Sequence, residues 1–108
     1  MKPLLPTLRS KRRYVAFEVL GKPAQQKQVW QAIQQSVLEQ EGVQGLARQE
    51  LSMPAWNQTS QKGILRVSHK QVTNLIADTS FVTSINNQPS TINTLKTSGM
   101  IKNMKEIL

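Results

Sequence analysis

A chain that carries out chemistry unaided needs titratable groups converging on one pocket, and this chain has few to offer. Its single histidine is His69, its acids are Glu18, Glu39, Glu41, Glu50, Asp78 and Glu106, and it contains no cysteine. General acid–base pairs and two-metal centres draw on gathered carboxylates, and only one of these six is an aspartate. Without cysteine there is no thiol nucleophile, thiolate zinc site or disulfide, a composition that fits an intracellular protein. No catalytic or metal-ligating residue is therefore assigned. His69 falls in the first turn of a predicted helix, where a surface residue beside a cap is the simpler reading.

The cations support a different chemistry. Lys plus Arg is 14 against 6 acids, a formal net charge of +8 on 108 residues. On so small a domain this excess suits a polyanion, nucleic acid first and an anionic membrane second. Arg9, Lys11, Arg12 and Arg13 follow Pro3 and Pro6, which deny helix, so residues 1–12 read as an extended basic arm able to track phosphates. Lys62 and Arg66 on a predicted hairpin and Lys102 near the carboxyl end complete the candidate RNA contacts. Each has a plainer counterpart, since a charged chain end solubilises and a hairpin cation is often merely solvated. No apolar run approaches the ~20 residues of a bilayer span, and the basic cluster follows the short leucine stretch, the reverse of a signal peptide. A soluble, cytoplasmic protein is expected.

These residues must be held by something, and 38% hydrophobic content is enough for one domain with one core. Tyr14 to Leu20 alternates, with Val15, Phe17 and Val19 on one face, and predicts a first strand ended by Gly21 and Pro23. From Ala24 to Gln40, Val29, Trp30, Ile33, Val37 and Leu38 recur at helical spacing until Gly42. Leu46 to Trp56, containing Pro54, predicts an edge strand; Asn57 to Gln61 a turn; Gly63 to Val67 the hairpin partner. Ser68 to Gln71 fits a capping box ahead of Val72, Leu75, Ile76 and Thr79. After a loop at Asn86 to Pro89, Ser90 to Leu95 predicts a last strand. Ser98 then caps a terminal helix with Met100, Ile101, Met104, Ile107 and Leu108 on its apolar face.

The order β-α-β-β-α-β plus a terminal helix predicts an α+β, ferredoxin-like (RRM-like) sandwich, with residues 13–108 as a single RNA-binding domain behind the arm. Val15, Phe17, Val19, Leu65 and Val67 should meet Trp30, Ile33, Val37, Leu75 and Ile76, leaving the second sheet face for the terminal helix, a ligand or a partner. Where an RNA-recognition domain stacks bases on strand aromatics, this chain has Ile64, Leu65 and Val67, so phosphate and sugar contacts fit better. Trp30 reads as core. Trp56, beside Pro54 in a polar segment, reads as an interface aromatic, and Ile101 and Met104 as further candidates for a partner interface.

Several segments carry a resemblance: Lys2-Pro3 with Pro6-Thr7-Leu8-Arg9, Lys11 to Glu18, Gln61 to Arg66, Thr91 to Leu95, and Ser98 to Lys102. Together, in order and from end to end, they resemble the archaeal-type ribonuclease P protein component 2 family. The absence of any extension favours an archaeal origin. The resemblance implies a subunit of the ribonucleoprotein endonuclease that removes the 5′ leader of precursor tRNA. The RNA is then the catalyst and this chain has no cofactor of its own, divalent metal, magnesium by expectation, being bound by the RNA. It also implies partners: ribonuclease P RNA, protein component 3 in a two-plus-two assembly, and other protein subunits of the particle. Two departures weaken contact through the terminal helix: Asn93 stands where the family pattern has Arg, and Asn103 and Glu106 dilute Lys102 and Lys105. An alternative is a free-standing or ribosome-associated RNA-binding module of the same fold. A small ferredoxin-like enzyme lacks the side chains to operate.

Overall fold

The computed structural model describes residues 11–108. Strand β1 (Arg12–Gly21) is followed by α1 (Gln26–Gln49), β2 (Ser52–Asn57), β3 (Lys62–Ser68), α2 (Val72–Thr79), β4 (Ser84–Ile85) and β5 (Gln88–Ser98). The antiparallel sheet has the order β2-β3-β1-β5-β4, so the ferredoxin-like plan holds with β5 as the fourth long strand. Among the described residues no helix is long and apolar enough to cross a membrane.

The main core forms where the alternation demands it. Val15, Phe17 and Val19 of β1 join Leu65 and Val67 of β3, Val29, Ile33 and Val37 of α1, and Leu75 of α2, with Trp30 and Ile76 packed at the margin. Phe17, Ile33, Leu65 and Leu75 are fully buried, each contributing roughly 1.5–3 kcal/mol of burial. Gly63 lies across from Phe17 on one side and Trp56 on the other. A Cβ there would stand 2.7 Å from Phe17 Cζ and 2.9 Å from Trp56 Cε3. The glycine leaves room for the two rings to meet over it, with centroids 6.1 Å apart. Trp56 therefore has an apolar companion after all and is half-buried against this chain's own core; the polar residues around it hid a cross-strand neighbour.

Elsewhere the expected elements shift. Gly42 interrupts α1 with φ 76° and ψ 179°, as a glycine can, but the chain resumes helix as far as Gln49. Leu46 to Gln49 are thus helical rather than strand, and β2 starts at Ser52 as an edge strand whose register shifts around Pro54. Ser68 supplies no side-chain cap; a 3₁₀ turn at His69–Gln71 leads into α2 instead. Asn86 and Asn87, with φ of 52° and 61°, turn a tight hairpin between β4 and β5 where a plain loop was expected.

The far side of the sheet is the largest surprise. The terminal α-helix is replaced by two 3₁₀ turns, Ile101–Asn103 and Lys105–Ile107. Their stripe lies on the sheet: Met104 is fully buried against Ala16 and Ile64, ringed by Tyr14, Ala55, Ile101, Ile107 and Leu108. Asn57 Nδ2 (2.9 Å) and the Ser60 hydroxyl (3.0 Å) donate to the Leu108 carbonyl and pin the segment beside the hairpin turn. As packed, Met104 has no surface to give a partner, and Ile101 is half-buried against its own sheet. Met104→Ala should cost about 2–4 kcal/mol in urea unfolding, against less than about 0.5 for Met100→Ala, whose side chain is half exposed. Gly63→Ala, which must push apart two aromatic rings, should cost roughly 1–3 kcal/mol.

Candidate RNA interface

The register gathers cations at one end of the sheet. Arg12 pairs with Ser68, and Arg66 lies between Tyr14 and Ser52, so Lys11, Arg12, Arg13, Arg66, His69 and Lys70 share that end. Lys11 is held by its backbone, its carbonyl accepting the His69 N–H at 2.9 Å, with His69 Nδ1 3.2 Å from the same oxygen. Arg66 Nε donates to the Ser52 hydroxyl at 3.1 Å while the side chain stays exposed. Arg12 and Arg13 are already strand residues, not a free arm. Arg13 Nη1 donates to the Arg12 carbonyl at 3.1 Å, and Arg12 forms an ion pair with Glu50. Both partners of that pair are at least a third exposed, so it contributes no more than about 1 kcal/mol and leaves Arg12 recruitable by a stronger anion. Arg9 and the rest of the expected arm up to Ser10 lie outside the described residues.

A second group spreads over the sheet face away from the helices. Lys62 stands opposite Glu18 and Lys96 opposite Ala16, and Lys102 and Lys105 are exposed on the turns that cover this face. Its acids are few: Glu18, whose Oε1 accepts Asn93 Nδ2 at 3.0 Å, and exposed Glu106. The helix layer carries no such excess: Glu39 and Glu41 of α1 stand against Lys27 and Arg48, and Asp78 of α2 is buried. Lys62, Arg66 and Lys102 are thus brought onto one side of the molecule. Lys70 was missed as a candidate, and the face of Lys96 depends on a register shift in β5 that alternation alone conceals.

Among the described residues no aromatic platform accompanies these cations. Tyr14, the aromatic on the covered face, packs against the terminal turns, Trp56 against Phe17, and Phe81 is exposed just after α2, on the helix side. The arrangement can bind phosphate and ribose oxygens through Lys and Arg; it offers no stack for splayed bases.

One buried polar cluster has a perturbed acid. Asp78 accepts Gln49 Nε2 at 3.0 Å, its backbone carbonyl takes the Ser36 hydroxyl at 2.5 Å, and Gln49 Oε1 has no hydrogen-bond partner. Burial pushes the Asp78 carboxyl above the usual carboxylate range, the Gln49 hydrogen bond opposing and the neighbouring Glu41 adding to the rise. These groups sit where α1 packs on α2 and read as a structural lock. A raised folded-state pKa means the folded chain binds the extra proton, so this group's contribution is present below its unfolded pKa and lost as pH rises through the folded one. Asp78→Asn should therefore gain urea stability relative to wild type between pH 4 and pH 7, with the gap widening as pH rises.

With this geometry established, comparison with known proteins is informative. A model of the Rpp14/Pop5 family matches residues 13–108. The chain belongs to that family. Ribonuclease P protein component 2 of Thermococcus gammatolerans is 39% identical over 105 residues, covering 96% of this chain and 88% of the relative. The Methanosarcina mazei protein of the same name is 31% identical over 107 residues, covering 98% and 90%. A chain in the cryo-EM structure of yeast ribonuclease MRP shares the fold, with a TM-score of 0.67 at 13% identity and 92% of each chain covered.

Proposed function

We propose that this chain, a ribonuclease P protein subunit by its family, binds the catalytic RNA through the sheet side and the Arg12 end of the domain. The observation that carries this is the segregation of charge. Lys62, Arg66, Lys96, Lys102 and Lys105 lie on the sheet side with Lys11 and Lys70 at its end, while on the helix layer Glu39 and Glu41 offset Lys27 and Arg48 and Asp78 is buried. RNA is recognised by the path of its phosphates, which is why no stacking aromatic is needed. In the processing of precursor tRNA the chain's part is to neutralise phosphates where RNA strands crowd, so that the RNA folds and holds its divalent metal at lower magnesium. In this reading divalent metal is held by the RNA.

Protein partners fit the helix layer better than the residues first singled out. Trp56 and Met104 are used internally, whereas Val43 and Phe81 expose apolar surface beside α1 and α2. Component 3 is the partner proposed there, in an assembly of two copies of each chain.

The test is affinity for ribonuclease P RNA against salt. The variant Lys62→Ala, Arg66→Ala, Lys96→Ala, Lys102→Ala should bind more weakly and lose roughly 0.7–0.9 of log–log slope per phosphate contact removed. Stability should move by no more than about 0.5 kcal/mol per site, as for ordinary surface substitutions. Parallel salt lines for variant and wild type would remove RNA from this face.

A further inference from the structure

Strand β5 is far longer than its outer neighbour. β4 pairs only with Gln88 and Pro89, and the Ser90 N–H reaches the Thr83 carbonyl at 3.1 Å. Among the described residues nothing pairs with the outward edge of β5 from Thr91 to Ser98. This edge holds no proline and a single charge, Lys96, and Leu95 on it is 38% exposed. An uncovered edge of this length presents free backbone donors and acceptors to any strand that fits.

What fits can be read from the way β5 alternates. Ile92, Thr94 and Thr97 lie opposite Val19, Phe17 and Val15 and so face the helices. Thr91, Asn93, Lys96 and Ser98 lie opposite Leu20, Glu18, Ala16 and Tyr14 and face the other way. The alternation breaks once, at Leu95, where the register with β1 shifts. In an unbroken strand, residues three apart such as 93 and 96 would face opposite sides. The shift makes the facing pattern symmetric about a point between Thr94 and Leu95: 93 matches 96, 92 matches 97, and 91 matches 98. Two antiparallel copies of β5 related by a two-fold axis at that point would therefore put the opposed pairs 93 with 96, 92 with 97 and 91 with 98 each on a common face. One residue either way, the flanking pairs, 92 with 96 or 94 with 96, would fall on opposite faces.

Charge agrees with this register. Lys96 of one copy would face Asn93 of the other, whose amide is bonded to Glu18, so the lysine would approach an acid on the far side of the joint. Leu95 and its symmetry mate would flank the axis and cover each other.

The geometry points to the β5 edge as the surface through which two copies of this chain join, as a continuous antiparallel sheet with Asn93 opposite Lys96. The inference rests on the two-plus-two assembly proposed above and names how its two halves meet.

The chain contains no cysteine, so engineered thiols report without background. Opposed residues in an antiparallel pair have Cα atoms about 4.5–5.5 Å apart, within disulfide range. Asn93→Cys and Lys96→Cys proteins, mixed and oxidised in the assembly with component 3, should give the heterodisulfide in high yield, and each variant alone far less. Lys96→Glu should weaken joining of the two copies at least tenfold by setting two acids together, and adding Glu18→Lys should restore it. The mass of the assembly separates the two levels. Two copies per assembly without the 93–96 disulfide or the charge rescue would overturn the β5 joint and leave the stoichiometry standing. One copy per assembly would overturn both.

Discussion

The structure depends on a central strand buried on both sides. Val15, Ala16 and Phe17 are consecutive in β1 and all fully buried, which alternation against a single layer cannot produce. Val15 and Phe17 belong to the core beneath the helices; Ala16 belongs to a second core closed by Met104. Small Ala16 is what lets the terminal turns approach the sheet closely enough for Met104 to fill the space over Ile64 and be excluded from water. Once that lid of 3₁₀ turns is in place, the sheet is no longer an open platform, and the ways in which this domain can meet RNA are narrowed.

That narrowing explains the distribution of polar residues. Bases cannot be stacked across a face occupied by Met104, Ile101 and Ile107, which leaves the rim of the lid and the sheet end for the proposed RNA contact. Lys62, Lys96, Lys102 and Lys105 lie on that side, with Arg66 and Lys70 at the end. Long cationic side chains on a rigid sheet hold phosphate by charge and position and are indifferent to base identity. The helix layer lacks this cationic excess, Glu39 and Glu41 of α1 offsetting Lys27 and Arg48, and exposes the apolar side chains of Val43 and Phe81. A small chain can thus keep RNA and protein contacts on opposite layers.

The sequence revealed the core because period-2 and period-3.6 patterns report burial directly: Val15, Phe17, Val19, Ile33, Val37 and Leu75 all lie where those patterns put them. It misled where a single residue has two structural meanings. Gly42 interrupts α1 as expected, yet a helix can restart after one non-helical residue, and Leu46 looked like strand. The stripe from Met100 to Leu108 spans too few residues to favour an α-helix without tertiary support, and a 3₁₀ path places Met104 equally well. The cations Arg12 and Arg13 looked like an arm because charged residues at the start of a strand show no alternation; only pairing with Ser68 and Val67 reveals the strand. The covered face could not be assigned at all, since an apolar stripe states that it is buried and not against what.

The central claim is that RNA meets the sheet side of this domain while the helix layer faces away. Lysine acylation read by mass spectrometry, with and without ribonuclease P RNA, tests it most directly, because one exposed lysine, Lys27, lies on α1 and several lie on the sheet side. The account predicts strong protection of Lys62, Lys96, Lys102 and Lys105 on adding RNA, and unchanged reactivity at Lys27. Protection of Lys27 with the four sheet-side lysines still reactive would contradict it.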